Sequence, residues 1–130
     1  MFNEKLPTKR VVIAGCRDYN NYEEAKPYID FCLSNIRKEN NIVVVSGCAS
    51  GADAIGERYA EENGFKVEKY PADWKTYGRS AGPRRNKQMA EVSDYVICFW
   101  DEKSKGSMIE YAIKHNKPVK IKKIFREVKS

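Results

Sequence analysis

Four short stretches of the chain hold residue types that suit ligand chemistry. The first is Ser46-Gly47-Cys48-Ala49-Ser50-Gly51-Ala52-Asp53. Gly47, Ala49 and Gly51 let a backbone come close to a ligand, and a helix starting after them offers unpaired N–H groups and the positive end of its dipole, a combination that favours phosphate. A plain strand-to-helix turn with Asp53 as a first-turn charge fits the same residues. Gly15-Cys16-Arg17-Asp18 supplies the second stretch. Arg17 suits bidentate contact with phosphate or carboxylate, or a structural pair with Asp18 or Asp53.

The third stretch, residues 71–86, is the richest. Asp73, Trp74, Tyr77, Arg79, Gly82, Arg84, Arg85 and Asn86 place an indole, a phenol and several cations within a few turns of chain. Aromatic faces stack on bases and guanidinium groups bind phosphate; a surface loop pinned by one tryptophan is the simpler reading. In the fourth, Gly106-Ser107 opens a helix, so Ser107 is expected to cap it and to aim its N-terminus at the same site. Glu110, three residues on, either closes a capping box or serves as a carboxylate for catalysis.

Elements must hold these stretches together. Val11–Gly15, Ile42–Ser46, Val67–Tyr70 and Tyr95–Trp100 read as strands, with Pro118–Ile121 a fifth. Three of them are nearly continuous in apolar character, the mark of strands covered on both faces. Between them lie helical periodicities. Ile29, Cys32, Leu33 and Ile36 form one face, capped by Asn20 or Asn21, with Pro27 placing the regular part from about residue 26. Ala52, Ile55, Tyr59 and Ala60 form a second face, stopped at Asn63-Gly64. A short helix spans Arg85–Val92. Another covers Ser107–Asn116 with Met108, Tyr111 and Ala112 inward, leaving His115 at the surface. Residues 71–83 are expected to be one long irregular connection. The alternation predicts a doubly wound α/β three-layer sandwich with a five-stranded parallel sheet, whose ligands bind at the carboxyl ends of the strands. All four chemical stretches follow strands.

Composition narrows the classes. A chain of 130 residues, 42% hydrophobic and 32% charged, suits one globular domain, with a core over about residues 10–121 and a basic tail over 122–130. No apolar run approaches the roughly 18 residues of a membrane span, and the start lacks a secretory stretch, so the expected location is the cytoplasm, without a membrane partner. Four cysteines without a CxxC pair, and one histidine, argue against a structural metal site, and no cofactor is expected. Residues 114–130 carry seven Lys/Arg against one Glu, whereas residues 11–113 net −2. The body is mildly acidic, which weakens a general nucleic-acid reading of the +6 net charge. The glycine turn lacks the Gly-Lys-Ser/Thr of a Walker A loop and the GxGxxG of dinucleotide folds.

Taken together, Gly15–Asp18, Gly47–Asp53, Pro71–Trp74, Gly78, Ala81-Gly82, Arg85-Asn86 and Met89 resemble the YspA-like branch of the SLOG superfamily, a Rossmann-like set of nucleotide-ligand domains. The resemblance spans about residues 11–119. Cys48 departs from it by replacing a second glycine, and Ser107 by replacing threonine.

The resemblance implies binding of a nucleoside monophosphate or an ADP-ribose-type ligand. It implies phosphate contacts from Gly15, Arg17, Gly47, Ala49, Gly51, Asp53, Gly106 and Ser107, and base or sugar contacts from Asp73, Trp74, Gly82 and Asn86. Cytokinin-type phosphoribohydrolases in the superfamily carry Arg-x-x-x-Met and Gly-Thr-x-x-Glu, matched by Arg85–Met89 and Gly106–Glu110. That match implies Arg85 and Glu110 as catalytic residues of an N-glycosidic hydrolase or transferase. In an alternative register Glu110 is an ordinary helix residue. DNA-processing relatives share Ser-Gly-x-Ala-x-Gly-x-Asp, matched by Ser46–Asp53, and imply nucleic-acid binding as a lesser expectation, for which the basic tail and Arg79, Arg84, Arg85 and Lys87 are the candidate contacts. The expected partners are a nucleotide-type small molecule and a second copy of the chain.

Overall fold

A computed structural model of the chain describes residues 2–103 and 106–125. Five strands, β1 (Thr8–Gly15), β2 (Asn41–Ser46), β3 (Lys66–Lys69), β4 (Tyr95–Trp100) and β5 (Val119–Lys123), form one sheet in the order β3-β2-β1-β4-β5. Every pairing is parallel. Alternate side chains of the central strands enter two separate cores. Val11 and Ile13 of β1 pack with α1 (Tyr22–Leu33) and α3 (Ala52–Asn63), while Val12 and Ala14 pack with α5 (Ala81–Val92) and α6 (Ser107–Lys114). Continuous apolar strands arise because both faces are covered. The result is the expected Rossmann-like, three-layer α/β sandwich.

The strand order positions the site. From β1 the chain moves outward to β2 and β3, then returns to lay β4 on the other side of β1. Connections leave β1 and β4 in opposite directions, which opens a crevice at their carboxyl ends.

Several local expectations are corrected. Helix α1 starts at Tyr22, not near residue 26, and runs through Pro27. Asn21 nucleates it by accepting the Glu24 N–H at 3.1 Å, and Tyr22 and Ala25 are buried, so first-turn packing outweighs the one helical bond that Pro27 removes. It stops at Leu33, and Ile36 opens a separate turn, α2 (Ile36–Glu39). Residues 71–83 are mostly helical rather than irregular. Asp73 accepts the Thr76 N–H at 3.1 Å and starts α4 (Trp74–Tyr77), a 3₁₀ turn follows over Gly78–Ser80, and α5 begins at Ala81. Pro83 sits in the first turn of α5, where its missing N–H costs no helical bond.

The carboxyl-terminal boundary also shifts. β5 includes Lys122 and Lys123, and Ile124 is buried in the α1/α3 core. Of the expected tail, residues 126–130 lie outside the described residues. His115 ends α6 half-buried rather than at the surface, 4.0 Å from Glu91. None of the four cysteines is joined in a disulfide. Among the described residues no helix is long and apolar enough to cross a membrane, and no cluster suits a metal ion.

Candidate functional site

The glycine turn is shaped by what it must pass. Gly51 adopts φ +76°, and a Cβ there would collide with the backbone of Cys16 and Arg17. The turn therefore lies directly on the segment after β1, and the Ala52 N–H donates to the Cys16 carbonyl at 3.1 Å. A Cβ on Gly47 would come within 2.6 Å of the Arg85 guanidinium and 2.8 Å of the Asp53 carboxylate. Cys48 holds φ +64°, a left-handed conformation that explains why glycine suits this position better.

Much of this turn's hydrogen bonding builds the turn itself. Cys48 N–H donates to Ser46 Oγ at 3.1 Å, and Ala49 N–H donates to Asp53 Oδ2 at 3.2 Å. Asp53 is buried, and burial pushes its carboxyl above the ordinary range, opposed by the Ala49 N–H and the charge of Arg85. Arg85 is 7% exposed, and burial lowers its pKa, with Asp53 pulling the other way. Each group thus makes the other tolerable in a poorly hydrated place.

Arg85 organises three elements. Its Nη1 donates to the Gly47 carbonyl, and its Nε donates to Asn86 Oδ1 at 2.8 Å. A guanidinium only donates, so the Asn86 oxygen must face it and the Asn86 nitrogen must face Ser107. That nitrogen donates to Ser107 Oγ at 2.8 Å. The β2–α3 turn, α5 and the start of α6 are thus joined by one directional chain. Ser107 is the first residue of α6, not its cap. Gly106 holds the cap position at φ +60°, and no side chain caps the helix. The expected capping box is absent for that reason.

A cavity of about 670 Å³ opens at the carboxyl ends of β1 and β4. Gly15, Arg17, Ala49, Asp53, Arg85, Asn86, Gly106 and Ser107 line it. A second, of about 360 Å³, is lined by Gly47 and Trp74 and shares Arg17, Ala49, Ser50 and Arg85 with the first. Arg17 lies 5.5 Å from the Trp74 ring centroid. Gly82 backs the same indole: a Cβ there would crowd Trp74 Cη2 at 3.2 Å. Gly51 supports the wall from behind, and Asp73 caps α4.

Glu110 stands apart: it is exposed on α6 and lines neither cavity. Arg79, Arg84 and Lys87 are exposed on the outer surface of the same region, with Arg84 stacked 4.4 Å from the Tyr77 ring centroid. Sequence reasoning missed Cys98 and Trp100 as wall residues, and named Asp18 and Ser50 only as members of their stretches. Trp100 is the last residue of β4, and a Cβ on Gly106 would lie 3.4 Å from its indole. Its place at a strand's carboxyl end was a readable signal. Cys98 carried none, because an inward strand cysteine reads as core; burial pushes its thiol up to about 12.

Comparison with known proteins agrees with this architecture. The DNA processing protein A (DprA) structure from Streptococcus pneumoniae superposes with a TM-score of 0.64 at 20% identity, over 90% of this chain. The chain spans half the length of that protein, and the likeness is one of fold. Gene 61 protein of Mycobacterium phage D29 is 38% identical over 98 residues, covering 70% of this chain and 76% of that protein. Residues 9–77, from the start of β1 through the glycine turn to Tyr77, match the model of the YspA, cpYpsA-related SLOG family. The chain therefore belongs to the YspA, cpYpsA-related SLOG family.

Proposed function

We propose that the cavity at the carboxyl ends of β1 and β4 binds the phosphate-bearing part of a nucleotide or nucleotide-derived ligand. The observation that carries this reading is the direction of the hydrogen-bond chain from Gly47 to Ser107. Arg85 donates to both Gly47 and Asn86, Asn86 passes a donor on, and Ser107 accepts from it. The Ser107 hydroxyl hydrogen is then left to donate elsewhere, beside Arg85 and Arg17 in one wall. A wall that offers donors and positive charge suits an acceptor-only anion, and phosphate is the commonest such group. In this reading the glycine turn serves mainly to seat Arg85, and side chains supply the anion contacts.

Isothermal titration of the four common ribonucleoside 5′-monophosphates tests the proposal. Arg85→Ala should abolish binding. Ser107→Ala, which leaves the buried network nearly whole, should weaken it about tenfold or more, as expected for one hydrogen bond to a charged group. Full affinity in Ser107→Ala, with the fold intact by circular dichroism, would remove the phosphate from this wall.

An N-glycosidic hydrolase needs a carboxylate at the sugar. The carboxylates lining the larger cavity are Asp18 and Asp53, not Glu110. Release of free base from a nucleoside monophosphate, lost in Glu110→Gln, would establish the hydrolytic reading with Glu110 as its carboxylate.

A further inference from the structure

We propose that the ligand is two-headed: two ring-bearing groups joined through a short phosphate linker, each ring meeting one of the chain's two tryptophans. The inference deepens the nucleotide reading above and rests on it.

Three features carry the proposal. The first is the arrangement of the cavities, which adjoin through shared walls. The residues common to both are Arg17, Ala49, Ser50 and Arg85. The junction thus has two guanidinium-bearing residues and no acidic one, while Asp18 and Asp53 line only the larger cavity. An anionic linker is best placed at that junction, with charge falling away on both sides.

The second feature is aromatic. The smaller cavity has Trp74 beside Pro71 and Ala72, an apolar end with one indole face. Trp74 is 49% exposed, so part of its indole is open to a ligand ring. The larger cavity has Trp100 and Met108 at its wall. Indoles on both sides of a cationic junction match a molecule with a ring, a phosphate linker and a second ring.

The third feature is size. At about 670 Å³ and about 360 Å³, each compartment exceeds the space a lone phosphate needs. Both volumes fall within the usual range for a small-molecule site, so a mononucleotide seated in the larger compartment would leave the smaller one empty. The acids confined to the larger compartment suit the hydroxyl groups of a ribose, which can donate to carboxylates.

The chain has only two tryptophans, so each end of the ligand has its own reporter. In Trp74→Phe the emission comes from Trp100, and in Trp100→Phe from Trp74. The probes are AMP, GMP, CMP and UMP and the 5′,5′-linked dinucleoside diphosphates of the same bases. Calorimetry on the parent protein gives affinities, and fluorescence on the two variants gives contacts. Phenylalanine keeps an aromatic face, so both variants should fold, and melting curves verify this. At least one dinucleoside diphosphate should bind tenfold or more tightly than its mononucleotide. That compound should change the emission of both variants, whereas the mononucleotide changes one. Dinucleoside diphosphates that bind no better than mononucleotides, or that disturb a single tryptophan, would overturn the two-headed ligand and leave the nucleotide site standing. If no probe of either kind binds, the nucleotide reading itself falls, and this inference with it.

Discussion

Asn86 tests the polarity of the site more sharply than its cations do. Its amide sits between Arg85 and Ser107, with the oxygen fixed by the Arg85 Nε–H. Asn86→Ala removes the link but adds no charge, so anion affinity should fall modestly, on the order of three- to tenfold. Asn86→Asp keeps the Arg85 contact, makes the Ser107 hydroxyl donate inward to the new carboxylate, and puts negative charge on the wall. It should weaken anion binding more than alanine does. Calorimetry with the tightest mononucleotide orders the two, and an aspartate variant that binds like the parent would break the donor-wall argument. Arg85→Ala is different in kind. It leaves the Gly47 carbonyl and the Asp53 carboxylate buried without their cation, so a stability loss of about 3 kcal/mol or more is expected in urea titration, beyond any effect on ligand.

Element geometry depends on a few backbone-critical positions. Gly51→Ala must hold φ +76° with a side chain and push against the Cys16 and Arg17 carbonyls. The conformational term alone costs about 1–2 kcal/mol, and the backbone overlap adds to it. Because the relief is a shift between the β1 and β2 turns, Arg17 and Arg85 should lose their common wall. Ligand affinity should therefore drop with stability, which calorimetry and denaturation read separately. Asn21→Ala is the counterpart far from the site. It removes the cap on α1 at a cost of about 1 kcal/mol and should leave ligand affinity unchanged.

For the molecule as a whole, a buried phenol links stability to alkaline pH. Tyr22 is buried under α3 and its hydroxyl donates to Glu62 at 2.7 Å. Burial first, then that bond, raise its pKa from 10.0 to about 12. The folded chain thus holds this proton more tightly than the unfolded chain does. Its stabilising contribution is complete below pH 10 and is lost as pH climbs toward about 12. Tyr22→Phe keeps the ring and has no proton to lose. Its melting temperature should fall less steeply than the parent's across that window, and parallel slopes would show that Tyr22 does not govern the decline.

Periodicity and strand-end placement made the layers and the site legible without coordinates. VVIAG, IVVVS and YVICFW read as doubly covered strands because a parallel sheet leaves no polar face, and the loops after them held most of the wall. Arg17, Arg85, Asn86 and Ser107 were recognisable because type and position pointed the same way. The tertiary structure decided what local pattern could not express. Pro27 looked like a boundary, yet buried Tyr22 and Ala25 carried the helix through it. Residues 71–83 looked irregular because they hold only the short α4, a 3₁₀ turn and the first turn of α5, started from one aspartate cap and marked by a proline. Glu110 matched a catalytic spacing, but spacing along a helix does not say which side of it meets the crevice. Trp100 and Cys98 joined the wall only when β4 came to lie beside β1, a pairing between residues more than eighty positions apart. The amides of the glycine turn looked ready for phosphate, and folding engaged three of them with Ser46, Asp53 and Cys16 instead. A sequence states which groups can donate; which of them still face a ligand depends on what the rest of the chain has already taken.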